Sequence, residues 1–376
     1  VIESQGFTPT DTGPRSIAAV KVLRISVTDR CNYRCLYCMP AEGVPWLDKL
    51  DILSFEEICQ TIRAAIDIHG IRRFKLTGGE PTVRHGIVEL VRMIRTIPGI
   101  EDLSLTTNGQ LLTDLARPLK DAGLDRVTIS LDSLKPERFA RITRTGSLDA
   151  VLRGLYACET VGFDSLKINC VTMRGTNDDE VVDFAKLSVD RMLTVRFIEY
   201  MPLGDAALIK DGNPFREVQA SDGRVSYDTR KVASDEIGPA GGCGAQDRGN
   251  VFVSESEVRE KIESALGELV AVPRPDEPGV GPAVPYRIAN ARGRIGFISA
   301  MSSPFCDTCN RLRLTANGIL RSCLFEGGEV EIRSILRSSS SNDRRRLLAD
   351  AMTTCVKLKP EVHSARGNEQ MSRLGG

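Results

Sequence analysis

Between residues 22 and 201, short β-rich runs alternate with longer stretches whose apolar positions recur at helical spacing. The runs are VLRISV (22–27), FKLT (74–77), LSLTT (103–107), VTISL (127–131), LKINCV (166–171) and VRFIEY (195–200). They predict strands, and the stretches between most of them predict amphipathic helices. Ser54 with Glu57, and Asn177 with Glu180, have capping-box spacing at two helix starts, and Gly70 suits a helix end. About six β–α units in series imply a parallel sheet with right-handed crossovers. That sheet is either open and doubly wound, or a full or partial barrel. In such folds chemistry gathers at the C-terminal ends of the strands.

Residues 205–250 break the pattern. They are rich in Gly, Asp and Arg with little periodicity, and read as an insertion or long loop. A helix follows, opened by Ser254 and Glu257, then a Pro-rich stretch (273–285) and the strand-like runs YRIA, RIGFIS and RLRLT. The expected organisation is an N-terminal tail (1–16), a core (17–204), the insertion (205–250) and a C-terminal region (251–376). Lys plus Arg and Asp plus Glu are balanced at 50 each. No global field steers the chain onto nucleic acid or an acidic membrane, so any anion site must be local. No apolar run approaches the ~20 residues of a membrane helix, and the first residues lack a signal-peptide apolar region. The start at Val1 leaves a removed leader open.

Eleven cysteines without a secretion signal argue for metal or redox chemistry rather than disulfides. Cys31, Cys35 and Cys38 form a C-x3-C-x2-C loop directly after the first strand. Cys306, Cys309 and Cys323 form a C-x2-C-x13-C arrangement near the other end. Closed zinc sites take four ligands. Three thiolates on a cubane iron–sulfur cluster leave one iron open to a small molecule. Cys59, Cys158, Cys170 and Cys355 fall in apolar segments and read as small buried hydrophobes. Cys243 sits in the polar insertion and has no assigned role.

The first triplet, with Tyr37 just before Cys38, resembles the cluster loop of radical S-adenosylmethionine (SAM) enzymes. There, three thiolates hold a [4Fe–4S] cluster whose fourth iron is chelated by SAM. One strand later, Gly78-Gly79-Glu80 resembles the element that binds the methionine end of SAM, the paired glycines allowing close backbone approach. Ser130 and Met201 stand where that superfamily contacts SAM. The ensemble LRISVTDRCNYRCLYCMP, LTGGEPTVR, TTNG, SLDSL, KIN, RFIEYMP, FCDTCNRLRLTANGILRSCLF, KPEVH and MSRLGG is similar, nearly end to end, to the GTP 3′,8-cyclase family. The resemblance implies a partial (β/α)6 TIM-type barrel of the radical SAM class, with a C-terminal α+β region carrying a second [4Fe–4S] cluster. It implies two clusters and SAM as cofactors, GTP as substrate, an electron donor and a downstream cyclic pyranopterin monophosphate synthase. The reaction implied is removal of the ribose 3′-hydrogen of GTP and closure onto C8 of guanine, the first step of molybdopterin synthesis. A reducing cytosol suits it, or a mitochondrial matrix if a leader was removed. A homodimer is left open.

The cations agree with an anion site. Arg311 and Arg313 flank Leu312 and share one face of a strand. Arg24, Lys75, Lys167 and Arg196 also lie on strands, and Arg73 precedes the second. Buried cations need partners, either Glu80 and Glu199 or a triphosphate, which arginine grips bidentately. By resemblance, Arg24, Lys75, Thr106, Lys167, Arg311, Leu312 and Arg313 map to GTP contacts, with Arg73 and Arg196 in the same pocket. Lys75 stands where the family often has Arg, and the insertion is longer than usual. The terminal Gly375 and Gly376 match a catalytic tail that reaches the active site. The alternatives are another radical SAM enzyme with an auxiliary cluster, or a non-enzymatic cluster or zinc redox sensor.

Overall fold

A computed structural model describes residues 13–163, 165–203, 216–219, 225–228, 251–273, 281–325, 327–338, 341–363 and 374. Most of the N-terminal tail, Cys243 and the pair Gly375 and Gly376 lie outside the described residues. The first six strands are β1 (Val22–Ser26), β2 (Arg73–Thr77), β3 (Asp102–Thr107), β4 (Arg126–Ser130), β5 (Leu166–Thr172) and β6 (Leu193–Glu199). Each matches an expected run to within two residues. Six helices accompany them: α1 (Phe55–His69), α2 (Ile87–Arg95), α3 (Leu112–Asp121), α4 (Pro136–Thr143), α5 (Leu148–Thr160) and α6 (Val181–Asp190). The insertion contributes a hairpin, β7 (Arg216–Gln219) with β8 (Val225–Asp228), where the sequence reading expected a loop. Then come α7 (Glu255–Leu266), β9 (Leu269–Ala271), β10 (Val284–Ile288), β11 (Arg294–Ile298), β12 (Arg311–Leu314), β13 (Ile319–Arg321), β14 (Glu329–Glu331), α8 (Arg333–Ser338) and α9 (Ser341–Lys357).

The main sheet has twelve strands in the order β14-β13-β12-β1-β2-β3-β4-β5-β6-β11-β10-β9. From β12 through β11 every pairing is parallel, and both outer flanks are antiparallel. The C-terminal region therefore extends the N-terminal sheet on both sides. One of its strands pairs with β1 and another with β6. Leu23, Ile25, Phe74 and Leu76 alternate out of β1 and β2 into the main core and are fully buried. Each such side chain contributes about 1.5–3 kcal/mol. The intervening positions face the other way and are largely polar.

Two helix starts behave as expected. Ser54 and Glu57 form a reciprocal capping box and Gly70 closes α1 in the left-handed conformation, at φ 63°. Ser254 and Glu257 cap α7. The third does not. Glu180 itself is the N-cap of α6 and makes no capping bond. Its buried carboxylate instead accepts from Ser133 Oγ, the Leu134 N–H and Arg138. Asn177 bridges the Asp132 carbonyl and the Met173 N–H. Both residues are spent tying the loop after β4 to the loop after β5. Among the described residues, no helix is long and apolar enough to cross a membrane.

Candidate active site

A cavity of about 330 Å³ lies against the polar face of the sheet. All eight parallel strands contribute lining side chains, so the sheet curls around it: Arg24 from β1, Lys75 from β2, Thr106 from β3, Ser130 from β4, Lys167 and Asn169 from β5, Arg196 from β6, Ile298 from β11, and Arg311 and Arg313 from β12. The six cysteines of the two triplets border the same space, as do Tyr37, Gly78, Gly79, Glu80 and Met201. A volume of this size is in the range of small-molecule sites.

The first triplet sits on the loop leaving β1. That loop is held by the one leaving β2. The Gly79 N–H donates to the Thr28 carbonyl at 2.7 Å, and the Glu80 N–H donates to the Arg30 carbonyl at 2.8 Å. A Cβ on Gly78 would stand 2.6 Å from the Thr28 oxygen, and one on Gly79 would collide with the Asp29 and Arg30 carbonyls. The glycine pair thus admits the cysteine loop's own backbone as well as bordering the cavity. Glu80 is buried, which pushes its carboxyl pKa upward, but hydrogen-bond donors oppose this. Oε1 accepts from the Thr82 N–H at 2.9 Å, Thr82 Oγ1 at 2.6 Å and Thr107 Oγ1 at 2.7 Å, and Oε2 accepts from the Asn108 N–H at 2.6 Å. Tyr37 Oη donates to Asp132 Oδ2 at 2.7 Å. Burial pushes Asp132 up to about 6, against the pull of Tyr37 and the Val171 N–H. Asn169 Oδ1, beside Ser130 in register, is buried and accepts no hydrogen bond from the described residues.

The second triplet is built from the turn before β12 and the end of β13. Arg311 donates to Cys309 Sγ at 3.7 Å while its guanidinium lies 5.0 Å over the Phe305 ring. Burial pushes the Cys306 thiol up to about 11. At Cys309 burial acts the same way, but Arg311 and Lys359 outweigh it and bring the thiol down to about 7. In the first triplet burial raises Cys31 to about 11 and Cys35 well above its usual value. Thiolates at such buried positions need a compensating cation, which cluster iron supplies. Three thiolates per triplet suit a cubane, which takes one thiolate per corner iron, better than zinc, which closes a four-ligand shell. The donor sets thus fit two clusters.

Between the triplets lie the cations. Arg313 faces Arg24 across β12 and β1, and Arg24 faces Lys75 across β1 and β2. Burial first, then mutual repulsion, pushes Arg24 and Lys75 well below their usual values and Arg313 to about 10. Arg196 reaches in where its register partner is Gly296. A Cβ there would meet the Arg196 Cγ at 3.1 Å. Glu80 and Glu199 are not the counter-ions. Glu199 is taken by the Met301 and Ser302 N–H groups at 2.8 and 2.9 Å, by Ser302 Oγ, and by the Glu255 N–H at 3.1 Å. Packed like charges of this kind favour a polyanion.

Two expected contacts are placed elsewhere. Arg73 pairs with Glu101 at 2.9 Å and is not among the cavity-lining residues. Leu312 is fully buried in the core, on the opposite strand face from its two arginine neighbours. Residues not singled out from sequence also border the cavity: Asp132, Asn169, His363, and Arg126, whose Nε donates to Asp102 Oδ1 at 2.6 Å. Asn169 had a signal, since it lies two residues from Lys167 on one strand and so shares its face.

Family comparisons cover most of the chain. The Radical SAM superfamily model matches residues 25–188, and the Molybdenum Cofactor Synthesis C model matches residues 236–365. The GTP 3′,8-cyclase of Pelotomaculum thermopropionicum is 42% identical over 361 residues, covering 95% of this chain and 98% of that protein. That of Moorella thermoacetica matches with the same identity and coverage. That of Heliobacterium modesticaldum is 43% identical over 366 residues. The crystal structure of Streptococcus suis SuiB shares the fold at a TM-score of 0.50 and 13% identity, covering 89% of this chain and 65% of that one. A barrel with two facing cysteine triplets, two family models in series and near-full-length relatives above 40% identity lead to one assignment: the chain belongs to the GTP 3′,8-cyclase family of the radical SAM superfamily.

Proposed function

We propose that this protein converts GTP to 3′,8-cyclo-7,8-dihydro-GTP, the first step of molybdenum cofactor biosynthesis. The observation that carries the reading is the single cavity bordered by both triplets, with Arg24, Lys75, Lys167, Arg196 and Arg313 between them. Cys31, Cys35 and Cys38 would hold the first [4Fe–4S] cluster, and Cys306, Cys309 and Cys323 the second. When bound, the first cluster and SAM supply the radical that removes the ribose 3′-hydrogen. The chain's own residues bind, orient and enclose. Gly78, Gly79, Glu80, Ser130 and Met201 line the SAM side, and the side-chain Oδ1 of Asn169 is left open to a donor there. The cations neutralise the triphosphate, for which guanidinium forks are suited. Arg311 stays with Cys309 and Phe305, so it acts at the second cluster rather than deep among the phosphates.

The electron donor and the delivery of product to a cyclic pyranopterin monophosphate synthase belong to this proposal. So does a role for Gly375 and Gly376 in positioning GTP. Leu374, immediately before them, is buried. The bacterial relatives give the mitochondrial-matrix expectation no support. The test is anaerobic incubation with SAM, GTP and a strong reductant. Wild-type protein is expected to form cyclised GTP and 5′-deoxyadenosine, and Cys35→Ala to form neither. Formation of 5′-deoxyadenosine with GTP left unchanged, at full iron content, would favour another radical SAM reaction.

A further inference from the structure

Helix α9 ends at Lys357, and Pro360 prevents its continuation. The chain then runs across the second triplet. Lys359 is buried at 4% exposure and its ammonium donates to the Cys309 carbonyl at 2.9 Å. Among the described residues no carboxylate forms an ion pair with it. Four residues on, the His363 backbone N–H donates to the Cys306 sulfur. The His363 ring hydrogen-bonds the Ala300 carbonyl at 2.8 Å and stacks on Phe325, with ring centroids 4.0 Å apart. Phe325 lies two residues after Cys323. Arg15 fixes the start of the segment through the Lys359 carbonyl at 2.9 Å. Residues 359–363 therefore touch the surroundings of all three cysteines, yet supply no thiolate.

A buried ammonium without a carboxylate is costly unless an anion stands nearby. The anion at hand is the Cys309 thiolate, on the same residue whose carbonyl that ammonium holds. We propose that residues 359–363 are a built-in part of the second cluster site, with Lys359 supplying a fixed positive charge that raises that cluster's reduction potential. This rests on the proposed function, because it presumes a second cluster. The physical basis is general: cluster potentials follow net charge, hydrogen bonds to sulfur and solvent exposure. Here a buried cation stabilises the more negative, reduced state, and the His363 N–H acts in the same direction. Lys359 is a positioning residue in this account, acting through Cys309 rather than on GTP.

The test is an anaerobic redox titration of the reconstituted protein, following each cluster by electron paramagnetic resonance, with iron and sulfide counted. Lys359→Gln keeps a donor for the Cys309 carbonyl but removes the charge; Lys359→Arg keeps the charge. The glutamine variant is expected to hold both clusters and shift the second cluster's potential downward, with the first unchanged. The arginine variant should lie close to wild type. Loss of the second cluster in the glutamine variant alone would also support a required charge. Loss in both variants would overturn the charge role and leave Lys359 a strut. An unchanged second-cluster potential in the glutamine variant, beside intact iron, overturns this inference alone. A wild-type protein without a second cluster overturns both it and the proposed function.

Discussion

Substituting Gly79 by alanine would press a methyl group against the carbonyl oxygens of Asp29 and Arg30. Two backbone segments would have to part, at a cost of about 1–3 kcal/mol or more. The cysteine loop would move with them. We expect Gly79→Ala to retain the second cluster and lose the first, so that iron falls from about eight to about four per chain. Full iron and normal SAM cleavage in this variant would show that the loop contact does not matter. Arg313→Ala removes a buried cation from the strand carrying the second cluster's first turn. Charge-assisted bonds are worth roughly 1.5–3 kcal/mol, so GTP affinity should fall about 10- to 150-fold while guanosine binding changes little. Isothermal titration with both ligands checks this, and equal losses for the two would refute a triphosphate contact. At this scale the cysteines were legible because metal ligation leaves a fixed local spacing. The alternation of Arg311 and Arg313 around Leu312 was legible for a similar reason. The partners of Glu80 and Arg73 were not. They are set by Thr107, Asn108 and Glu101, which only the fold brings near.

The six barrel strands were legible because each is a β-rich run bounded by helical patterns. The helix start at Asn177 and Glu180 was misread for a physical reason. The spacing of a capping box is also the spacing of two polar residues that can turn back toward a preceding loop: buried donors on Ser133 and Leu134 took the Glu180 carboxylate, and the Asp132 carbonyl accepted from the Asn177 side chain. The hairpin of β7 and β8 was missed although Asp222-Gly223 lies between two short runs, a known turn signal. The sequence also gave no sign that β11 and β12 pair with β6 and β1. Those pairings make a clear forecast. A fragment ending at residue 250 would expose the ladder edges of β1 and β6 and the face of α1 that packs on α9. Unpaired edges of this kind aggregate. The fragment is expected to be insoluble or molten by size-exclusion chromatography and circular dichroism. A soluble, cooperatively folded fragment would show that the two regions are independent.

For the molecule as a whole, the C-terminal region closes both sides of one sheet, and the chain's two ends of chemistry meet in one cavity. A role for the terminal glycines in positioning GTP is part of the proposed function. Deleting Gly375 and Gly376 is expected to leave iron content and melting unchanged while cyclised GTP falls by about 100-fold, as small misplacements of a reacting substrate do. Unchanged turnover at matched iron would reduce the pair to a plain terminus. The central claim is that SAM cleavage at one triplet and GTP held before the other are parts of one reaction. Deuterium placed at the ribose 3′ carbon of GTP tests it most directly. Anaerobic turnover should yield 5′-deoxyadenosine carrying that deuterium, together with cyclised GTP that has lost it. Unlabelled 5′-deoxyadenosine beside unconsumed GTP, from protein with both clusters in place, would contradict the account.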